Sequence, residues 1–209
     1  NWAAMTLSRV EKLVDDGGES STVDSLHGKI RFIYEHLPYF LRRSSPLEFK
    51  LLQINNPRFH SHITGFSATP TAGRGPKWKR AVLDEFAFTE WSEQVMKSVG
   101  RACPIGKYLI STANGKANAF YRIAERANAI WPEKPRKKSK SSWKKVTIHW
   151  TQHPERDRSW YDEQCRSMTE EAVAQELDID YARSKGRRVY PRFVYKRHVV
   201  GADLCTIRE

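Results

Sequence analysis

A chain of 209 residues with 39% hydrophobic and 11% aromatic side chains carries enough apolar material for one packed domain, which excludes wholesale disorder. Its formal net charge of +12 favours an anionic partner such as nucleic acid, without identifying which. Three widely spaced cysteines form neither a disulfide framework nor a zinc pattern and fit a reducing cytoplasm, and the chain shows no signal peptide and no apolar run of membrane-spanning length.

In chain order, Ala3–Ser8 reads as a strand. A helix follows with Leu26, Ile30, Ile33 and Leu37 on its apolar side, stopped near Pro38. Leu47–Ile54 and Arg58–Phe66 read as strands joined by the turn signal Asn55-Asn56-Pro57. Ala72-Gly73-Arg74-Gly75-Pro76 is a flexible loop with one fixed positive charge. Arg80-Ala-Val-Leu-Asp84-Glu85 reads as a short buried strand ending in two adjacent carboxylates. Val95, Met96 and Val99 give Phe86–Gly100 a helical face. Lys107–Ser111 is a second apolar run, ending in Ser111-Thr112-Ala113-Asn114-Gly115. Ala117–Ile130 is helical, with Phe120, Ile123, Ala124 and Ala127 as its apolar face. Trp131–Lys145 is a basic loop with seven Lys/Arg and one Glu, so a solvated linker is its ordinary reading. Lys144–Trp150 alternates like a strand. Ser159–Arg166 and Glu170–Leu177 are helical, and Thr169 is placed to cap the second. From Tyr181 to Ala202 no acidic residue occurs, while Arg183, Lys185, Arg187, Arg188, Arg192, Lys196 and Arg197 are basic. Such a tract suits phosphate contact or an interdomain linker equally.

Strand–helix–strand–helix alternation argues for an α/β fold with a mainly parallel sheet covered by helices. The strands ending at Asp84 and Ser111 should then be buried neighbours. In such sheets ligands gather at the carboxyl ends of strands. A carboxylate pair there can hold Mg²⁺ with its first member and orient or deprotonate an attacking water with its second. An apolar strand followed by a turn, where Asp and Glu are common, is the bland alternative. Ser111, Thr112 and Asn114 would lie beside that edge, able to sense a γ-phosphate or hold water; an ordinary strand-to-helix turn is again the alternative. Arg74 is the natural group to stabilise charge on a transferring phosphoryl, although a solvated surface arginine is the usual reading of its tripeptide.

Taken in order, Ser67-Ala-Thr-Pro-Thr-Ala-Gly-Arg-Gly, Ala81-Val-Leu-Asp-Glu-Phe-Ala-Phe, Leu109-Ile-Ser-Thr-Ala-Asn-Gly and Ala119-Phe-Tyr-Arg-Ile resemble the ATPase domain of the large terminase subunit of tailed bacteriophages. Phe32-Ile-Tyr-Glu-His-Leu-Pro resembles an early helix of that domain. Ile148-His-Trp-Thr-Gln-His-Pro-Glu-Arg-Asp and Trp160-Tyr-Asp-Glu-Gln resemble the stretch that closes it. The resemblance covers nearly the whole chain and implies a P-loop NTPase-like sheet. It implies ATP and Mg²⁺ as cofactors, with Asp84 on the metal and Glu85 the catalytic carboxylate. Ser111, Thr112 and Asn114 would couple hydrolysis to movement, and Arg74 would reach a neighbouring subunit's ATP. It further implies double-stranded DNA, a small terminase subunit, a portal protein and a homo-oligomeric ring as partners, no membrane, and a place in the host cytoplasm at the procapsid portal.

One departure matters. The G-x-x-x-x-G-K-[ST] loop that cradles phosphates is not found. Gly100-Arg-Ala-Cys-Pro-Ile-Gly106-Lys107 is a decoy: its glycines are one residue too far apart, Tyr108 replaces Ser/Thr, and a strand follows it. The expectation is a domain over residues 1–180 that is incomplete at its N-terminus, since the loop would precede the first strand. A basic linker over 181–209 would then lead towards a nuclease domain that is largely absent, and the chain alone would be inactive. Two other classes compete: another P-loop nucleic-acid motor such as a helicase, and a non-catalytic basic DNA-binding module. His149 and His153 have the spacing of a zinc-protease helix without its Glu, and His60 and His62 share a strand face without a third ligand, so no metal site is expected at either.

Overall fold

The structure, a computed structural model, describes residues 2–17, 24–132 and 141–185. Its centre is β1 (Trp2–Ser8). Ordinary period-2 alternation buries Met5 and Leu7 on one face, while Thr6 and Ser8 are buried on the other. The chain continues through α1 (Glu11–Val14), α2 (Leu26–Glu35) and α3 (Tyr39–Ser44) to a hairpin of β2 (Glu48–Lys50) and β3 (Gln53–Asn56). β4 (Ser61–Ser67) returns beside β1. β5 (Arg80–Leu83), α4 (Ser92–Ala102), β6 (Gly106–Leu109) and α5 (Ala119–Arg126) follow. The six-stranded sheet has the order β2-β3-β4-β1-β5-β6, with β4, β1, β5 and β6 mutually parallel and the hairpin antiparallel. A separate two-stranded parallel sheet joins β7 (Asn128–Trp131) to β8 (Lys144–Val146), and α6 (Arg158–Ser167) and α7 (Glu170–Glu176) close the described chain.

The core forms where β1 and β5 meet α4. Met5, Leu7, Ala81, Leu83, Val95, Val99 and Phe86 are buried together. Val95 and Val99 stand one turn apart on α4, so a single helical stripe covers both strands. Gly73, at φ 74°, lets the loop between β4 and β5 press on this core. A Cβ there would meet Met5 and Val99 atoms at 3.1–3.3 Å.

On the opposite face a buried polar network ties three elements to β1. The neutral His27 imidazole donates through Nδ1 to Asp15 Oδ2 (3.2 Å) and accepts from Thr6 Oγ1 at Nε2 (2.9 Å). Asp15 also accepts from Leu52 N (2.7 Å) and Gly17 N (3.0 Å). Burial holds the His27 pKa below its ordinary value of 6.5, against the opposing pull of Asp15.

Several boundaries differ from the sequence reading. Leu47–Ile54 is not one strand, because Leu51 and Leu52 form the hairpin turn and Leu52 takes φ 57°. Pro57–Phe59 is a 3-10 turn, capped by Asn56, so β4 starts at Ser61. Ala117–Ile130 splits into α5 and β7, and Lys144–Trp150 is a strand only to Val146, since His149 caps a new 3-10 turn. α2 buries His27; Ile33 and Leu37 of its expected apolar side are 62% and 36% exposed. α6 and α7 fall where expected, and Thr169 Oγ1 accepts from Ala172 N as the cap. The expected basic tracts fall largely at 133–140 and 186–209, outside the described residues.

Candidate active site

β5 brings Ala81 and Leu83 into the core, and Asp84 emerges at the carboxyl edge of the sheet. Asp84 N still bonds Leu7 O at 2.8 Å, which holds this residue against the end of β1. The chain then reverses at Glu85, which has φ 48° and ψ 36°. A Glu in the left-handed region is uncommon and costs on the order of 1–2 kcal/mol. Its neighbours impose that conformation. Phe86 is fully buried, Phe86 N donates to Ile110 O (3.1 Å), and Phe88 N donates to Glu85 O (2.9 Å). The Glu85 side chain is left 44% exposed, with Oε2 4.0 Å from Nε of Arg9, the residue just past β1.

The loop after β6 completes this arrangement. Ser111 Oγ accepts from Ala87 N at 3.1 Å, and Asn114 Nδ2 donates to Ala87 O at 2.8 Å. Two side chains therefore hold both backbone groups of one residue, two positions beyond Glu85. The sequence reading set Ser111, Thr112 and Asn114 beside the carboxylate edge; Ser111 and Asn114 reach it through the backbone of Ala87. Thr112 turns the other way and donates to Glu176 on α7 at 3.4 Å. Gly115, at φ 64°, donates to Ser184 Oγ (2.9 Å), and a Cβ on it would lie 2.9–3.0 Å from the Lys185 side chain. The Tyr121 and Tyr181 rings meet at 5.0 Å. Residues 181–185, expected as the start of a linker, are thus packed on the loop that holds the carboxylate turn.

The strands ending at Asp84 and Ser111 are in-register parallel neighbours, as expected, with Val82 opposite Tyr108. The expectation that both are buried fails at β6. It is the last strand of the sheet among the described residues, and Tyr108 and Ile110 are 49% and 55% exposed. Arg74 does not join the carboxylates within the chain. It is exposed on the β4–β5 loop and donates from Nε to Ser98 Oγ on α4 at 3.3 Å. A cleft of about 700 Å³ between α4, α5 and the segment just before β8, lined by Met96, Arg122, Ile123 and Trp143, touches neither carboxylate.

Arg9, Glu176 and Ser184 were missed in the sequence. Arg9 follows a strand parallel to β5, so topology alone would have placed it at the same edge. Glu176 and Ser184 lie 64 and 69 positions from their partners and give no local signal.

Among the described residues no group of three or more His, Cys, Asp or Glu side chains is gathered to hold a metal. The oxygens at this edge are the adjacent Asp84 and Glu85 carboxylates, the donor type that Mg²⁺ takes together with waters and substrate phosphates. The fully buried Ser8 Oγ, at the same sheet edge, has no hydrogen-bond partner and is a further oxygen there.

No protein-family model matches the chain, and no curated protein matches it. Solved structures do. An arginine-to-alanine variant of the large terminase ATPase domain of Thermus phage P74-26 superposes with a TM-score of 0.58 at 17% identity, over 87% of this chain and 77% of that one. The unsubstituted domain gives 0.55 over the same shares. The large terminase of a thermophilic bacteriophage, in complex with ATP-gamma-S, gives 0.57 at 8% identity, over 87% of this chain. The chain spans 40% of that longer protein's length. This chain therefore has the fold of a phage large-terminase ATPase domain: α/β, with a mostly parallel central sheet flanked by helices.

Proposed function

We propose that this chain is the carboxylate-bearing part of an ATP-driven motor that packages double-stranded DNA into a phage head. The observation that carries the reading is Glu85: a strained glutamate at the carboxyl edge of a parallel sheet, fixed from the next strand by Ser111 and Asn114. Strain of this kind gathers at functional sites because the surroundings must over-determine it. The fold shared with terminase ATPase domains supports the same reading.

In this reading Asp84, with the unpartnered Ser8 Oγ nearby, would hold Mg²⁺, which would supply neutralisation of charge on the phosphate oxygens. Glu85 orients the attacking water and takes its proton. Arg9 stands beside Glu85, its Nε 4.0 Å from the carboxylate. Ser111 and Asn114 keep the turn rigid, and Thr112 relays its position to α7. Arg74, directed away from its own carboxylates, serves the nucleotide of a neighbouring copy in a ring. The basic segments contact DNA phosphates, and the whole works in the host cytoplasm at the procapsid portal, with a small subunit and the portal protein.

A carboxylate pair does little without backbone N–H groups and a Lys on the β- and γ-phosphates. The 209 residues contain no such loop of the usual pattern, so the purified chain should release no phosphate above background. Supplying a phosphate-binding strand and loop N-terminal to β1 should produce Mg²⁺-dependent turnover that vanishes in Glu85→Gln while nucleotide binding persists. In that protein Asp84→Asn should weaken Mg²⁺-dependent nucleotide binding. Salt-sensitive DNA binding with turnover indifferent to Glu85 would favour the non-catalytic DNA-binding reading instead.

A further inference from the structure

α2 turns large apolar side chains outward. It buries His27, while Phe32 and Ile33 are 47% and 62% exposed. α3, which follows directly after Pro38, buries none of its residues, and Tyr39 and Phe40 are each 68% exposed. Both helices are fastened at the hairpin end of the sheet. Tyr34 packs on Phe49 of β2 (5.7 Å), Asn56 Nδ2 donates to Ser45 Oγ (2.6 Å), and Arg58 donates to Ser44 O. Single exposed apolar residues are ordinary, but this many on adjoining elements mark a binding surface.

The chemistry of the face specifies what covers it. Residues 26–58 hold six Lys/Arg against two Asp/Glu, twice the excess of the whole chain's 36 against 24. Lys29, Arg43 and Lys50 are exposed, and the buried Nε of Arg42 has no hydrogen-bond acceptor. An occupant must therefore bring carboxylates or phosphates. Ile33, Leu37, Leu41 and Leu51 are exposed aliphatic side chains, with no plane on which a base stacks and no hydrogen-bonding group. They match apolar side chains, which a nucleic acid does not carry, so the occupant is a protein and its anions are carboxylates. The chain's own acidic helices are a poor match. Arg183 already neutralises Asp178 (3.0 Å) and Asp180 (2.7 Å), and Glu176 accepts from Thr112.

We propose that the α2–α3 face docks an amphipathic helix of a different protein, one whose apolar stripe is flanked by Asp and Glu. A helix of that kind lays its stripe on the exposed apolar side chains and sets its carboxylates against the basic rim. Tyr39 and Phe40 are the aromatic anchors, the residue type that carries most binding energy at such contacts. The apolar centre supplies affinity, and the rim selects an acidic partner over a basic one. The docking is separate from the carboxylate site and needs neither nucleotide nor DNA.

Peptide binding to the 209-residue chain, read by fluorescence anisotropy, tests it. The probes are three labelled helical peptides of about 20 residues. The first has a Leu stripe with Glu flanks, the second the same stripe with Lys flanks, and the third Glu flanks with Ser in the stripe. The first should bind at least about tenfold more tightly than either of the others, and added salt should weaken it. Ile33→Ser with Phe40→Ser should reduce that binding to the level of the third peptide. Arg43→Glu with Lys50→Glu should invert the preference, so that the Lys-flanked peptide binds more tightly, a gain that misfolding cannot produce. Lys144→Glu with Lys145→Glu, on β8, should leave the first peptide's binding within about threefold at ~0.15 M salt, where exposed charges more than about 8 Å apart are largely screened. Equal binding of the first and third peptides would overturn the proposal. So would a loss on reversing Lys144 and Lys145 as large as that on reversing Arg43 and Lys50. A nucleic-acid surface would behave differently: Ile33→Ser with Phe40→Ser would weaken binding of an oligonucleotide of about 20 bases and leave the peptides unaffected, which also overturns it.

Discussion

In the proposed function Glu85 carries opposing demands of stability and chemistry, since its backbone is held in the left-handed region. Glycine at this position would escape the left-handed penalty, less the entropy glycine loses on folding. Glu85→Gly should therefore stabilise the chain by roughly 0.5–1 kcal/mol while removing the carboxylate, a trade of the kind expected at working sites. Urea unfolding measures it, and an unchanged or lower midpoint would show that the turn is not strained. His27 makes a second residue-scale prediction. Its folded pKa is depressed, so the stability it contributes is present above the unfolded value of 6.5 and is lost as pH falls through the folded pKa. The unfolding midpoint should drop between pH 7.5 and 5.5, and His27→Gln should flatten that drop. The place of Asp84–Glu85 at the end of a buried strand was readable from residue type and pattern. The backbone of Glu85 was not, because its conformation is set by Ile110, Ser111 and Asn114, which reach it only through the sheet.

Elements were legible where one period ruled and illegible where two competed. β1, β5 and α7 each carry an unbroken pattern, and each lies close to where the sequence put it, whereas the helix expected over Phe86–Gly100 starts only at Ser92, since Phe86–Phe88 forms its own 3-10 turn after the reversal at Glu85. Leu47–Ile54 misled because its apolar run spans a hairpin turn, whose Leu52 is held by a hydrogen bond to Asp15 from another element. α2 misled in a different way: Leu26 and Ile30 of its apolar stripe are only half-buried and Ile33 and Leu37 are exposed, while His27 is the residue it buries. The loop between β6 and α5 offers the element-scale test. Gly115→Ala forces an L side chain to φ 64° and crowds Lys185, so it should cost about 1 kcal/mol. The loss should concentrate in residues 181–185, seen as faster proteolysis after Arg183 and Lys185. Equal protection in mutant and wild type would mean that the loop and the C-terminal segment are not coupled there.

For the whole molecule, the described chain is a sheet with helices on both faces. Its strand order could not be read from sequence, because it depends on which strands pair. Arg74 belongs at this scale, since its own chain directs it to Ser98 and away from Glu85. In an assembled ATPase, Arg74→Ala should lower turnover far more than in isolated subunits, within the range of about 10³–10⁵ given by arginine fingers. Mixing Arg74→Ala with Glu85→Gln subunits should recover part of the activity, because one mixed interface regains an intact site. Failure to complement, with assembly verified, would return Arg74 to an ordinary surface role. DNA binding is testable on the chain as it stands. Lys144→Ala with Lys145→Ala should reduce the slope of log affinity against log salt by roughly 2, if each lysine neutralises one phosphate.

The grip of Ser111 and Asn114 on Ala87 has a mechanical consequence. One attachment lets a segment swivel; two attachments on the N–H and C=O of the same residue fix its direction as well. A tug on the loop therefore turns the carboxylate, and a turn of the carboxylate tugs the loop. The loop's other grips, Thr112 on Glu176 and Gly115 on Ser184, lead to the C-terminal end. Coupling between binding sites is reciprocal, so in the function proposed above a force that reaches the site through α7 would be felt as a change in nucleotide affinity. A tethered load pulling on the C-terminus should then shift nucleotide binding, and Asn114→Ala should act as a slipped clutch, leaving affinity insensitive to the pull.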